Sequence, residues 1–243
     1  MRARYTFDTF IPHEGNRSAF DAARAVACAP DTAPNPLVLC GPNSTGKTHL
    51  LRAIENHLRS RNDATKIVSM NADEFTSYLI WALMHDEMDD FHSRFQGAEY
   101  FLLDDLHFLF GRESSQELFY SILQTLLEQG SKIIITSSIH LSTLTTLESA
   151  LTNIPSLLVA KMELPDLDAR LTISRTKAKA LGLELEDAPL LFICNRSTNA
   201  RQIEGALRWI RACRDLEFFA PTTANIMKML LEEWLPSIQK SKD

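Results

Sequence analysis

The stretch LVLCGPNSTGKTHLLRAI, residues 37–54, constrains this chain more than any other. An apolar run of strand character enters Gly41-Pro-Asn-Ser-Thr-Gly-Lys47-Thr48, and a helical pattern leaves it with Leu50, Leu51, Ile54 and Leu58 on one face. The loop matches GxxxxGK[ST] in the strand-then-helix setting that phosphate binding needs. Backbone N–H groups across Gly41, Asn43, Ser44, Thr45 and Gly46, and at the helix N-terminus, are expected to face phosphates. Lys47 is expected to reach the β and γ phosphates, and the Thr48 hydroxyl to bind Mg²⁺. A simple glycine turn ahead of a helix is the plainer alternative, and it is set aside.

A carboxylate-bearing strand should accompany such a loop, and YFLLDD supplies one. Its apolar run ends in Asp104 and Asp105, at the strand edge where open α/β sheets bind ligands. Asp104 is the candidate to hold Mg²⁺, directly or through water, and Asp105 to orient or deprotonate the attacking water. Acidic turn residues capping a strand would look the same. The next strand, KIIITSSIH, ends in Thr136, Ser137 and Ser138. A hydroxyl there could touch the γ-phosphate or the water, although strands also end in hydroxyls for no catalytic reason.

Strand-like runs at Leu37–Cys40, Lys66–Met70, Tyr100–Asp105, Lys132–Ser138 and Leu157–Leu164 alternate with helical patterns, which predicts a mostly parallel α/β sheet. Phe75, Leu79 and Leu83, then Phe91 and Phe95, suggest one or two helices before the third strand. From Pro165 the chain reads as successive helices, with Asp166 as the first N-cap. The expected domains are therefore 1–164, α/β and nucleotide-binding, and 165–243, a helical lid. Hydrophobic residues make up 45% of the chain, yet no apolar run reaches the ~18–20 residues of a membrane helix. The N-terminus has no signal-peptide core, so a cytoplasmic protein is expected. The four scattered cysteines suit reduced, mostly buried thiols. A net charge of −6 argues against a general nucleic-acid binder.

Taken together, these motifs resemble the AAA+ module of the bacterial replication initiator DnaA family, including its short Hda-type members. The matching pieces are YTFDTFIPHEGNRSAFDAA, NPLVLCGPNSTGKTHLLRAI, DEFTSYLIWAL, FLLDDLHFLFGRESSQELFY, ITSS, LPDLDAR and NARQIEGAL. The resemblance implies a P-loop NTPase fold, with a five-stranded parallel sheet, helices on both faces and a small all-α lid. It implies ATP or ADP with Mg²⁺ as cofactors. Phe10-Ile11-Pro12 would lie against adenine, Arg201 would be the lid arginine that touches phosphates, and Ser138 would stand where the family usually has an aspartate.

The resemblance also exposes departures. The chain stops about where a lid should end, so an origin-reading domain is not expected, and the architecture is that of a regulator or adaptor. MRARYTF lacks the glutamine-plus-leucines motif by which Hda grips the sliding clamp. Ile133 to Ala160 contains no lysine or arginine, and Ala150, Thr152 and Ile154 stand where the family clusters arginines. A finger to activate a neighbouring copy is therefore not expected. The helical insert carries Asp86, Glu87, Asp89 and Asp90, which disfavours DNA on that face although Arg112 keeps one basic position. Ser114 replaces another position that is usually basic. His85, Asp89 and His92 could share a helical face, but an acidic solvated or partner-docking face is preferred to a metal site.

The expected function is regulation of chromosomal replication initiation through protein contacts, with hydrolysis slow or absent in the isolated protein. DnaA or the replicative helicase are the expected partners, and a homodimer is allowed. The alternatives are a helicase-loader ATPase, a P-loop kinase of small molecules and a scaffold without turnover.

Overall fold

The computed structural model describes residues 5–62, 64–109, 113–138, 154, 156–216 and 222–234. The chain forms two compact units, Met1–Glu163 and Leu164–Asp243.

In the first unit, β1 (Leu37–Cys40), β2 (Ile67–Asn71), β3 (Tyr100–Asp104), β4 (Lys132–Ser137) and β5 (Leu158–Lys161) form one sheet in the order β2-β3-β4-β1-β5. Every neighbouring pair is parallel. Parallel strands need crossover helices, and those helices cover both faces, so the central strands are apolar throughout rather than alternating. Leu37, Leu39, Leu102 and Ile134 face α1 (Arg17–Cys28) and α2 (Lys47–Arg61). Val38, Cys40, Phe101, Leu103, Ile133 and Ile135 face the opposite layer of α3 (Ala72–His85), α4 (Met88–Ser93) and α5 (Glu113–Glu128). There Phe75 meets Phe91 and Phe119 edge-on at 5.7 and 5.6 Å, and all three are fully buried. Edge-on contacts align ring quadrupoles and add to the burial of apolar area.

The five strands and the single-sided face of α2 agree with the sequence reading. One spacing argument does not hold. Phe75 and Leu79 are buried as expected, but Leu83 is 61% exposed, and Ala82 takes the inward position instead. At 100° per residue, Leu83 lies about 40° further round from Leu79 than the core-facing line. Asp86, in the left-handed conformation at φ 57°, ends α3. It separates His85 from Asp89 and His92 on α4, so the three do not share one helix. Among the described residues no group of three or more His, Cys, Asp or Glu side chains could hold a metal ion.

The second unit is helical: α6 (Leu167–Ala180), α7 (Asp187–Arg196), α8 (Ala200–Asp215) and α9 (Thr223–Met229), then a π-helical turn at Leu230–Trp234. The Asp166 carboxylate accepts the Ala169 N–H at 2.8 Å, the N-cap expected from the sequence. Ile203, Ala206, Leu207 and Ile210 form the buried stripe of α8. Glu204, also on α8, accepts from Lys177 of α6 and, at 2.6 Å, from Arg208. No helix among the described residues is long and apolar enough to cross a membrane. The cysteines are free, with Cys40, Cys194 and Cys213 buried and Cys28 exposed.

Candidate functional site

The loop after β1 is shaped by two glycines. A Cβ on Gly41 would lie 2.0 Å from the Met162 carbonyl oxygen, a backbone atom that cannot step aside. Gly46 has φ +104°, and a Cβ there would come 2.8 Å from the Phe10 ring. Ser44 also takes a left-handed conformation, with φ 68°. The chain thus coils tightly and delivers Lys47 to the first turn of α2.

Lys47 is buried, and its ammonium donates to the Gly41 carbonyl at 2.7 Å and the Pro42 carbonyl at 2.9 Å. A buried charge needs such partners. Burial pushes its pKa below the ordinary lysine value, against the pull of Asp105, Asp104 and Cys40. A cation held by the loop's own carbonyls is ready to transfer to an anion entering the loop. Thr45 braces the turn by donating to the Pro42 carbonyl at 3.0 Å. Asn43 and Thr48 are exposed, and Ser44 half-buried, on the loop and the start of α2.

The strand order decides which residues meet the loop. Because β4 lies between β1 and β3, its C-terminal end stands between the phosphate loop and the paired aspartates. Register aligns Cys40 with Ser137 and Leu103 with Ile135, so Thr136 faces the aspartate pair. The Thr136 hydroxyl donates to Asp104 Oδ1 and accepts the Asp105 N–H at 2.8 Å. Thr48 Oγ1 donates to that same Asp104 oxygen at 3.3 Å. One buried hydroxyl therefore clamps both aspartates, and a second joins them to α2. The hydroxyl and carboxylate assigned to Mg²⁺, Thr48 and Asp104, are adjacent oxygen donors, which suits a hard cation.

Asp105 is strained, with φ 59°. Burial, followed by the charge of Asp104, raises its pKa above the ordinary aspartate value, while His107 and Lys47 oppose the shift. His107 Nδ1 lies 3.8 Å from Asp105 Oδ1 and accepts the Ser138 backbone N–H at 3.5 Å. Ser138 thus joins the site through its main chain and His107. The sequence reading singled out Ser138 and passed over His107, and it named Thr136 as one of three hydroxyls that could touch the γ-phosphate or the water, not as a clamp on the aspartates. The signal for Thr136 lay in the strand order.

On the other side of the loop, Phe10 stacks on Phe20 at 5.5 Å and 12° and meets His49 edge-on at 5.2 Å. That anchors the segment whose next residues, Ile11 and Pro12, are half-buried. Asn16 holds it further, donating to the Ile11 carbonyl at 3.4 Å. In the second unit, Arg201 is exposed in the first turn of α8, where the Asn199 side chain caps its N–H at 3.1 Å. Ile154 packs against the core on the α5 face of the sheet. Ala150, Thr152, Arg112 and the Ser114 side chain lie outside the described residues.

The family model for the bacterial DnaA ATPase domain matches residues 1–156. The chain belongs to that family. It is similar to domain III of the replication initiation protein DnaA from Thermotoga maritima, with 26% identity and a TM-score of 0.86, covering 96% of this chain and 98% of that one. AMPPCP-bound DnaA from Aquifex aeolicus is 29% identical with a TM-score of 0.77 over 87% of this chain, which spans 66% of that longer protein. A third similar structure, a DnaA bound to AMPPCP and single-stranded DNA, is 28% identical with a TM-score of 0.77, covering 89% of this chain and 69% of its own. RuvB of Thermotoga maritima, 18% identical with a TM-score of 0.67 over 93% of this chain and 71% of that one, shares the AAA+ fold. Membership places this chain among the ATP-binding AAA+ modules of replication initiation.

Proposed function

We propose that this DnaA-family chain binds ATP or ADP with Mg²⁺ at the Gly41–Thr48 loop and regulates initiation of chromosomal replication through protein contacts, in the manner of Hda-type members. The observation that carries the proposal is the Lys47 ammonium, buried and hydrogen-bonded to loop carbonyls that an incoming phosphate could replace. Backbone N–H groups of Asn43, Ser44, Thr45 and Gly46 bind the phosphates, whereas the Gly41 N–H is already donated to the Ser137 carbonyl at 3.1 Å; Ile11 and Pro12 line the base. Thr48 and Asp104 hold Mg²⁺, which would supply charge neutralisation between the phosphates. Residues 1–164 act as the nucleotide-binding domain and 165–243 as a lid that brings Arg201 to the phosphates.

Asp105 orients the attacking water, with Thr136 setting its backbone. No arginine or lysine lies between Ile133 and Ala160, so one copy has no cation from that span to lend another. An arginine in trans accelerates such reactions by about 10³–10⁵-fold. Turnover alone is therefore slow, and a partner such as full-length DnaA supplies what is missing. The contacts are made in the cytoplasm, with DnaA or the replicative helicase.

Differential scanning fluorimetry tests the binding claim. Millimolar Mg·ATP or Mg·ADP should raise the melting temperature, the linkage supplying about 3–4 kcal/mol of stability at 100–1,000 times Kd. Lys47→Ala should abolish the shift. An unchanged melting curve for the wild-type protein would refute the assignment.

A further inference from the structure

The exposed side of α3 is built unlike a solvated helix face. Phe75, Leu79 and Ala82 fill the inward stripe, and the outward positions of a solvated helix are normally polar. Instead Ile80, Trp81, Leu83 and Met84 are 52%, 44%, 61% and 77% exposed. Positions 80, 83 and 84 follow the i, i+3, i+4 spacing of neighbours on one helix face. Trp81 flanks them and is held in place, stacked at 6.2 Å on Tyr78 and at 4.7 Å on His85, with the Arg94 guanidinium on the Tyr78 ring as the one cation beside the ridge among the described residues. His85 Nδ1 also donates to the Trp81 carbonyl at 2.8 Å. Side chains ordered beforehand lose little entropy when a partner covers them.

The C-terminal rim of this ridge is acidic. Asp86, Asp89 and Asp90 are exposed, and Glu87 is half-buried. No lysine or arginine occurs between Lys66 and Arg94, and Arg94 lies over the Tyr78 ring at 5.0 Å. An acidic rim repels a phosphate backbone and an anionic lipid surface alike. A second copy meeting this face isologously would set acid against acid. The complementary occupant is apolar at its centre and basic at its edges.

We propose that this face docks an amphipathic helix of a partner protein, with lysine or arginine flanking its apolar stripe. The surface uses no residue of the phosphate loop, so it stands apart from the nucleotide proposal and can fail without it.

The test uses the full chain and three probes, followed by tryptophan emission and by anisotropy of labelled ligand. The first is a tryptophan-free 18-residue helix with leucine on one face and lysine and arginine on the other. The second carries glutamate in place of each base, and the third is single-stranded oligothymidylate. The basic helix should bind, and the other two should not. Leu83→Ser/Met84→Ser and the triple variant Asp86→Asn/Asp89→Asn/Asp90→Asn should each weaken binding by about tenfold or more. Asp21→Asn, on exposed α1 surface, should leave it unchanged. A cooperative thermal melt followed by circular dichroism should survive in every variant and certify folding. Four results would overturn the proposal: no binding, equal binding by all variants, equal binding of the acidic helix or the oligonucleotide, or a dimer abolished by Met84→Ser.

Discussion

Thr136 shows how much one hydroxyl can organise. It is fully buried, donates to Asp104 and accepts from Asp105, so removing it strips the Asp105 N–H of its acceptor and leaves Asp104 Oδ1 with the longer Thr48 bond. Thr136→Val keeps the shape and should cost about 1–3 kcal/mol in urea denaturation. It should also reduce turnover, with Thr136→Ser recovering both; a Val variant with wild-type stability and turnover would refute the clamp. Asp105 makes the opposite prediction. Its folded pKa lies above its ordinary 3.8, so the fold favours the protonated form. Stability from this group is full below pH 3.8 and is lost as pH rises through the folded value. Asp105→Asn removes that loss and tolerates the left-handed backbone, so it should raise the melting temperature at neutral pH while abolishing hydrolysis. Gly41 was legible as a motif residue, but the reason for it was not. The carbonyl of Met162, 121 residues away in sequence, occupies the place of a side chain.

At the scale of elements, α2 is tied to β2 through Glu55. Its carboxylate accepts from Arg52 at 2.8 Å, Arg59 at 3.0 Å and Ser69 at 3.1 Å. Burial would raise its pKa, but the hydrogen bonds from Arg52 and Arg59 and then Ser69 outweigh it and hold it below the ordinary 4.5. The stabilisation is present above pH 4.5 and disappears as pH falls through the folded value. Glu55→Gln should therefore cost about 1 kcal/mol at pH 7, because both arginines are partly exposed, and the gap should close in acid. A gap that widens in acid would contradict this. Strand positions were readable because buried parallel strands are continuous apolar runs, and the α6 start because Asp166 follows Pro165. The outward face of α3 was not. Spacing alone assigned Leu83 to the core, since periodicity finds a stripe but does not say which of two adjacent stripes faces inward.

For the whole molecule, the phosphate loop and the aspartate pair could be read locally, whereas the meeting of β4 with both depended on strand order. That order is non-local, and no residue pattern in the chain encodes it directly. The absence of lysine and arginine from Ile133 to Ala160 sets the expectation for catalysis. Isolated protein should turn over ATP at on the order of 10⁻³ per second, rising at least tenfold with the cognate initiator. Fast turnover by the isolated chain would defeat that expectation. The central claim is that adenine nucleotide binds at the loop against Lys47, and calorimetric titration of Mg·ADP into the protein tests it most directly. The account predicts one nucleotide per chain, with affinity falling at least about a hundredfold in Lys47→Ala, as expected for loss of a buried charge-assisted contact. Equal affinity in both proteins, or no heat of binding in either, would contradict it.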